Sequence, residues 1–289
     1  MRYTKGIILA AGRGTRLMPV TTSIPKPILP IFDKPMIYYA LTTLMSLGIK
    51  KVLFILRKQD LKLFKEMFGS GAHLGMKISY AFQKNQIGIP DAMIVGKNFI
   101  NNGPFVIALA DNLFIGKSFN KTLAKIQKIK SGAVILATKS SNPSKSAVIE
   151  YSSTKKILSI EEKPRKPKSN YVIPGLYFYD GESIKYTKKL KPSKRGELEI
   201  TDVHQSYLKD EKLKVVFIEK DVKWFDAGDF KEIMMASNYV SKYQNKSNDL
   251  VGSIELISFK NKWINRSQFS KLVKKLPNSK YKDFLTKKI

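Results

Sequence analysis

The chain has 289 residues, 43% of them hydrophobic, with a formal net charge of +29 and no cysteine. That size supports a substantial core in one large domain, or in one domain with an appendage. The composition excludes disulfides, thiolate nucleophiles and cysteine-held metals; the lack of a long apolar run or a signal-peptide core argues for a cytoplasmic chain with no membrane partner.

The positive charge is nearly all lysine, spread along the sequence, with only seven arginines. Such a pattern reads as solvated faces, so no nucleic-acid partner is expected. Binding of an anionic small molecule is fully compatible with it.

In chain order, Gly6 to Leu9 is the first strand candidate and Pro35 to Leu47 the first helix. Strands are predicted at Lys51 to Leu56, Ile78 to Phe82, Phe105 to Leu109 and Ala133 to Ala137, with helices at Asp60 to Phe68, Asp91 to Phe99 and Asn120 to Ile129. This alternation predicts an α/β fold with a mainly parallel central sheet covered by helices on both faces. Ligands then sit at the carboxyl ends of strands, where Ala10 to Arg16, Gln83 and Asp111 fall. From Ala147 the strands shorten, at Ala147 to Tyr151, Ile157 to Glu161 and Val172 to Tyr179. A helix at Leu198 to Lys209, a strand at Val215 to Ile218 and a helix at Phe230 to Tyr243 follow. The polar stretch Tyr243 to Asp249 reads as a linker. Beyond it, the spacing of Phe269, Leu272, Val273 and Leu276, then Tyr281, Phe284 and Leu285, predicts two short amphipathic helices.

The most informative stretch follows the first strand: Ala10-Ala11-Gly12-Arg13-Gly14-Thr15-Arg16-Leu17. Glycines let a backbone approach an anion with its N–H groups turned inward, and arginine offers a forked, charged donor to phosphate oxygens. Leu17 stands where a dinucleotide fingerprint needs glycine, and no Gly-Lys-Ser/Thr is present for a Walker loop. Asp111, after the apolar run Phe105 to Ala110, is a natural Mg²⁺ position, and Asp226, behind Trp224 and Phe225, is a second. Each aspartate alone could equally cap a helix or a turn. Lys26 between two prolines, Lys163 before Pro164 and Arg195 complete a set suited to several phosphates. His73 and His204 read as structural. A sugar 1-phosphate is already ionised at neutral pH, so such a nucleophile needs no general base and catalysis reduces to orientation and charge stabilisation.

These residues carry a resemblance. Leu9 to Leu17, Pro25-Lys26-Pro27-Ile28-Leu29-Pro30, Asp33 to Tyr39, Gly175 to Asp180 and Leu190 to Asp202 together resemble the sugar nucleotidyltransferases, and within them the short-form glucose-1-phosphate thymidylyltransferases. The resemblance implies a Rossmann-like nucleotide-diphospho-sugar transferase fold with a small C-terminal helical appendage. The corresponding division is a catalytic domain over 1–242 and a helical segment over 243–289. It implies that Ala10, Gly12, Thr15, Arg16, Gln83 and Gly88 bind a nucleoside triphosphate, dTTP or UTP. Among these, Gly12, Thr15 and Arg16 meet the triphosphate, and Gln83 and Gly88 meet the pyrimidine. Asn112, Glu162, Lys163, Gly175 and Arg195 would bind the sugar 1-phosphate, and Asp111 and Asp226 would hold Mg²⁺. Arg16, Lys26, Lys163, Asp111 and Asp226 would be catalytic, in a homotetramer with an allosteric nucleotide-sugar site.

The chain departs from that pattern at four places. Pro25-Lys26-Pro27 replaces Ser-Lys-Gln and is closer to uridylyltransferases, and Ala11 replaces a glycine. Asp91 replaces a glutamine, and Ser146-Ala147 replaces a Tyr-Gly pair at the sugar. The expected reaction is therefore dTTP plus glucose 1-phosphate giving dTDP-glucose and pyrophosphate, with a UTP-dependent uridylyltransferase, a related enzyme with another sugar, or a non-catalytic nucleotide-sugar sensor as alternatives.

Overall fold

The structure is a computed structural model and describes residues 3–154 and 156–289. Its strands are β1 (Lys5–Leu9), β2 (Pro30–Ile31), β3 (Lys34–Pro35), β4 (Lys51–Leu56), β5 (Lys77–Phe82), β6 (Phe105–Leu109), β7 (Asn112–Ile115), β8 (Ala133–Lys139), β9 (Val148–Tyr151), β10 (Ile157–Glu161), β11 (Tyr171–Val172), β12 (Leu176–Tyr179), β13 (Leu213–Phe217) and β14 (Lys223–Asp226). The helices are α1 (Met36–Ser46), α2 (Leu61–Phe68), α3 (Ile89–Val95), α4 (Lys97–Ile100), α5 (Phe119–Gln127), α6 (Ser183–Thr187), α7 (Ile200–Lys209), α8 (Phe230–Ser247), α9 (Ile254–Lys260), α10 (Arg266–Lys275) and α11 (Lys280–Thr286).

One mixed sheet organises the molecule. β5, β4, β1 and β6 run side by side and parallel. Beyond β6, the antiparallel β12 leads to β8, which pairs in parallel with β13 and continues through β11 and β9 to β10. Successive side chains of the inner strands enter opposite cores: Ile8, Phe54 and Val106 on one face, Ile7, Ile55 and Ile107 on the other. Helices α1, α2 and α5 cover the first face, and α3, α6 and α7 the second. Burial on both faces explains why these strands are continuous apolar runs without polar alternation.

Several elements differ from the sequence expectation for local reasons. The helix expected over Asp91 to Phe99 is two helices, α3 and α4, divided at Gly96, where a Cβ would stand 2.7 Å from Ile7 Cδ1. The strand expected over Val172 to Tyr179 breaks at Pro174 and Gly175, because proline has no N–H for the ladder. Tyr243 to Ser247 is not a linker: α8 runs through it and ends at Asn248, whose φ is 49°. Its polar residues lie on a long exposed helix, so they carry no apolar period to read. Helix α9 was not anticipated ahead of α10 and α11, since its seven residues bury Glu255 and Ser258 along with Ile254 and Leu256. Polar groups on the buried face erase the amphipathic pattern.

The C-terminal helices are fastened to the sheet domain by polar bonds as well as packing. Asn261 donates to the Met45 carbonyl at 2.9 Å and Ser258 to the Leu74 carbonyl at 2.5 Å. Buried Glu255 accepts from the Tyr281 hydroxyl, and the Lys34 ammonium lies 5.3 Å from the Tyr281 ring centre. No helix among the described residues is long and apolar enough to cross a membrane.

His204 on α7 is fully buried, with Nε2 2.7 Å from the Tyr179 hydroxyl, a structural position. Burial drives its pKa down to about 3. The unfolded chain takes up this proton near pH ~6.5, whereas the folded chain does not, so stability falls as pH drops below that value. Denaturant titrations should show a loss of ~2.5 kcal/mol from this group between pH ~7 and ~4.5. A Tyr179→Phe/His204→Leu variant, which leaves no hydroxyl without a partner, should lack that share of the slope.

Candidate active site

The β1 strand ends in the loop Ala10 to Arg16, whose first residue is still bonded to the sheet through Ala10 N–H to the Ile55 carbonyl at 2.9 Å. Gly14 turns the loop with φ 66°, and its carbonyl accepts from the Thr21 hydroxyl at 2.8 Å and from Leu17 N–H at 2.8 Å. A Cβ on Gly14 would lie 2.9 Å from Thr21 Cγ2, so both space and φ require glycine there. A Cβ on Gly12 would meet nothing within 4 Å. Any need for glycine at that position comes from a ligand and not from the fold.

Beside this loop the chain builds a pair of carboxylates. Asp111 sits between β6 and β7, and β7 pairs antiparallel with β14 so that Asn112 faces Asp226. The Ala227 N–H donates to the Asp111 carbonyl at 2.9 Å, which locks the two strand ends together. Neither β7 nor β14 was predicted from sequence, yet their pairing is what brings the two aspartates together. Lys26 Nζ lies 2.5 Å from Asp111 Oδ2, and Asn112 donates to Asp111 Oδ1 at 2.9 Å. Burial raises the Asp111 pKa, but the Lys26 charge and these hydrogen bonds outweigh it and hold the carboxyl below its ordinary value. Asp226 moves the other way: burial first, then the charge of Asp111, push it up to about 6 against Lys26, Arg16 and Lys163. Two carboxylates that repel one another in a half-dry cleft are a place where a cation is stabilising.

These groups open onto a cleft of about 1350 Å³ at the carboxyl ends of β1 and β6. Its wall takes in Ala10, Gly12, Thr15, Arg16, Lys26, Asp111, Lys163, Arg195 and Asp226. Lys163 has φ 42° and its N–H donates to the Ser146 carbonyl at 3.2 Å. A lysine held in left-handed backbone is a strained arrangement of the kind found at functional sites. Arg195 lies among Glu162 at 3.7 Å, Glu197 at 3.5 Å and Glu199 at 3.5 Å. Burial raises the Glu162 pKa, opposed by the Lys163 and Arg195 charges.

Gln83, Gly88, Asn112, Glu162 and Gly175 do not line this cleft. Asn112 is a buried junction: its Oδ1 accepts from Gly175 N–H at 2.8 Å and from Trp224 Nε1 at 2.7 Å. Sequence reading left out the contribution of α8, whose Glu232, Met235, Asn238, Tyr239 and Lys242 line the cleft, and of Lys145, which reaches Asp229 at 3.4 Å. A single helix pattern gives no sign of which face meets a ligand. The serines and asparagine between Ser140 and Ser146 form another wall; only their departure from the expected Tyr-Gly pair signalled them.

A model of the nucleotidyl transferase family matches residues 5–243. The chain belongs to the nucleotidyl transferase family. It is similar to the glucose-1-phosphate thymidylyltransferase of Neisseria meningitidis, 40% identical over 97% of this chain and 98% of that one. It is also similar to the protein of the same name from Mycobacterium tuberculosis, 41% identical over 97% of each. A Bacillus anthracis chain solved with sucrose, provisionally given the same name, superposes with a TM-score of 0.75 at 36% identity, covering 81% of this chain and 94% of that one. A UDP-glucose pyrophosphorylase solved with UDP-glucose is more distant, with a TM-score of 0.71 and 26% identity over 83% of this chain and 99% of that one.

In this nucleotidyl transferase, Gly88 has a structural reason to be glycine. Its φ is 115°, and a Cβ would fall 2.1 Å from the Leu198 carbonyl oxygen, which is backbone and cannot swing aside. Gly88→Ala should therefore destabilise the fold by about 2–4 kcal/mol. Thermal denaturation checks this, and an unchanged midpoint would show that the segment relaxes freely.

Proposed function

We propose that this nucleotidyl transferase joins dTTP and glucose 1-phosphate to give dTDP-glucose and pyrophosphate, working in the cytoplasm as a homotetramer. The observation that carries the reading is the cleft shared by the loop Gly12 to Arg16, the Lys26–Asp111–Asp226 cluster, and Lys163 with Arg195. It offers cations for two polyanions, with two carboxylates among them.

In this reading the triphosphate lies along Gly12 to Arg16 and the sugar phosphate against Lys163 and Arg195. A phosphate oxygen of the sugar phosphate attacks the α-phosphorus, the α–β bridging P–O bond breaks, and pyrophosphate leaves toward Arg16 and Lys26. The nucleophile is anionic at neutral pH and needs no base, which fits the absence of either histidine from the cleft. Among the described residues no group of three or more His, Asp or Glu side chains could hold a metal. Two carboxylates, with phosphate oxygens and water as further ligands, nevertheless suit Mg²⁺, so Asp111 and Asp226 would hold it. Bound there, Mg²⁺ would neutralise phosphate charge and hold the two substrates in line.

The test is a matrix of dTTP, UTP, CTP, ATP and GTP against glucose, galactose and mannose 1-phosphates, read as pyrophosphate release with Mg²⁺. Highest kcat/KM for dTTP with glucose 1-phosphate is the expected result. A clear preference for UTP would favour the second reading, a uridylyltransferase, which Pro27 at the cleft and the Pro25-Lys26-Pro27 sequence support. No release from any pair would remove the enzymatic reading. Light scattering of the 32.8 kDa chain tests the tetramer separately.

A further inference from the structure

The Arg16 backbone is fixed while its charged end is not bonded. The next residue, Leu17, is fully buried in one core cluster with Phe225, Ala227 and Ala236, so the loop after β1 is packed against the corner between β14 and α8. Among the described residues the Arg16 guanidinium forms no hydrogen bond and no ion pair. All five of its N–H donors are therefore free. Its charge acts on Asp226 and Asp229, which stand before and after Gly228 in that corner. Such attraction draws the guanidinium to the corner without setting its direction, and Asp229 already accepts from Glu232 N–H at 3.0 Å and from Lys145 at 3.4 Å.

What sets the direction is shape. A Cβ on Gly228 would stand 2.6 Å from Arg16 Nη2, 3.2 Å from Cζ and 3.4 Å from Nη1, and these are its three nearest atoms. Gly228 is not among the glycines with left-handed φ, so its backbone is one that alanine adopts. At Gly88 a side chain would meet backbone; at Gly228 it would meet only the movable end of Arg16. The fold gives no reason for glycine here, and the guanidinium does.

We propose that Gly228 is a positioning residue for Arg16: its missing side chain leaves the place in which the guanidinium rests, with every N–H free for the departing pyrophosphate. Both residues line the cleft. A guanidinium already in place loses less freedom on meeting the leaving group and stabilises its charge without rearrangement. A methyl group at 228 would drive it about 1 Å away to reach ordinary contact distance. Displacements of that size are enough to weaken a catalytic contact severely. This rests on the reading of the cleft as a site of nucleotidyl transfer.

The test is a double-mutant cycle on the full-length protein: parent, Gly228→Ala, Arg16→Met, whose side chain ends short of the guanidinium, and the two together. With dTTP, glucose 1-phosphate and Mg²⁺, Gly228→Ala should lower kcat by about 10- to 100-fold and change the KM for glucose 1-phosphate by less than ~3-fold. Its thermal midpoint should move by less than ~2 °C. In the Arg16→Met background the same substitution should change kcat by less than ~3-fold. Calorimetry with inorganic pyrophosphate and Mg²⁺ should repeat the pattern without turnover, with binding about 10-fold weaker on Gly228→Ala in the parent and no further loss in Arg16→Met. Parental kcat in Gly228→Ala overturns the proposal, as does an equal loss in both backgrounds by either measurement. A collapsed midpoint also overturns it, since the fold itself would then need the glycine. A parent that forms no nucleotide sugar from any triphosphate overturns the functional reading instead, and the calorimetric cycle still decides the role of Gly228.

Discussion

Asp111→Asn should lower kcat by about 10²- to 10⁴-fold, equivalent to several kcal/mol of transition-state stabilisation. The fold should survive. Breaking a buried ion pair usually strands a charge, but Lys26 keeps Asp226 as an electrostatic neighbour when Asp111 becomes neutral. Removing the Asp111 charge also takes away one of the two causes that raise the Asp226 pKa, so Asp226 should ionise more readily in the variant. The asparagine can still accept the Asn112 amide and keep β7 in place. Steady-state rates with dTTP and glucose 1-phosphate over a range of Mg²⁺ concentrations, beside thermal midpoints, check both halves. A variant with parental turnover and parental Mg²⁺ dependence would show that Asp111 is not a metal ligand.

Lys26→Met should act on both activity and stability. In the proposed reaction Lys26 faces the departing pyrophosphate, so its removal should reduce kcat by about 10²- to 10³-fold. In the free protein it is also the counter-charge of Asp111, and without it two carboxylates repel each other in the cleft. Complete removal of a buried partner costs about 3–5 kcal/mol. The Asp111 side chain is 24% exposed, so a smaller loss of about 2–3 kcal/mol is expected at neutral pH. The sign of the pH dependence follows from Asp226, whose pKa is already pushed up to about 6 by burial and by Asp111. The folded chain holds this proton through pH values at which the unfolded aspartate, with pKa ~3.9, has lost it. Stability therefore declines as pH rises from ~4 through ~6, and more steeply in Lys26→Met than in the parent. Denaturation in chelator should show that steeper fall, and saturating Mg²⁺ should recover much of it. Equal slopes in the two proteins would contradict the assigned role of Lys26 as counter-charge.

The sheet was legible because its inner strands carry the strongest signal a sequence offers. Val52 to Leu56 and Phe105 to Leu109 are unbroken apolar runs set by burial on both faces, and strands occur at those residues. The loop after β1 stands out as an anion-binding candidate because Gly12, Gly14 and Arg16 are unusual neighbours after such a run. What escaped was set by tertiary contact. β7 and β14 are four-residue strands that, among the described residues, pair only with each other, and no local pattern pairs Asn112 with Asp226 across the intervening chain. The bond between Gln83 and Asp91 was equally hidden, although both residues had been singled out separately. Helix α9 was lost because its buried positions include Glu255, a carboxyl held by Tyr281 from another helix. In each case the composition of the segment was plain and the partner that gave it meaning lay far along the chain.

Isotope transfer tests the central claim most directly. Glucose 1-phosphate carrying ¹⁸O in its non-bridging phosphate oxygens is incubated with dTTP, Mg²⁺ and the protein, and the products are separated and weighed by mass spectrometry. Attack by the sugar phosphate on the α-phosphorus predicts that all of the label is retained in dTDP-glucose, with unlabelled pyrophosphate formed in equal amount. Label in pyrophosphate or orthophosphate, or consumption of dTTP without any nucleotide sugar, would contradict the account.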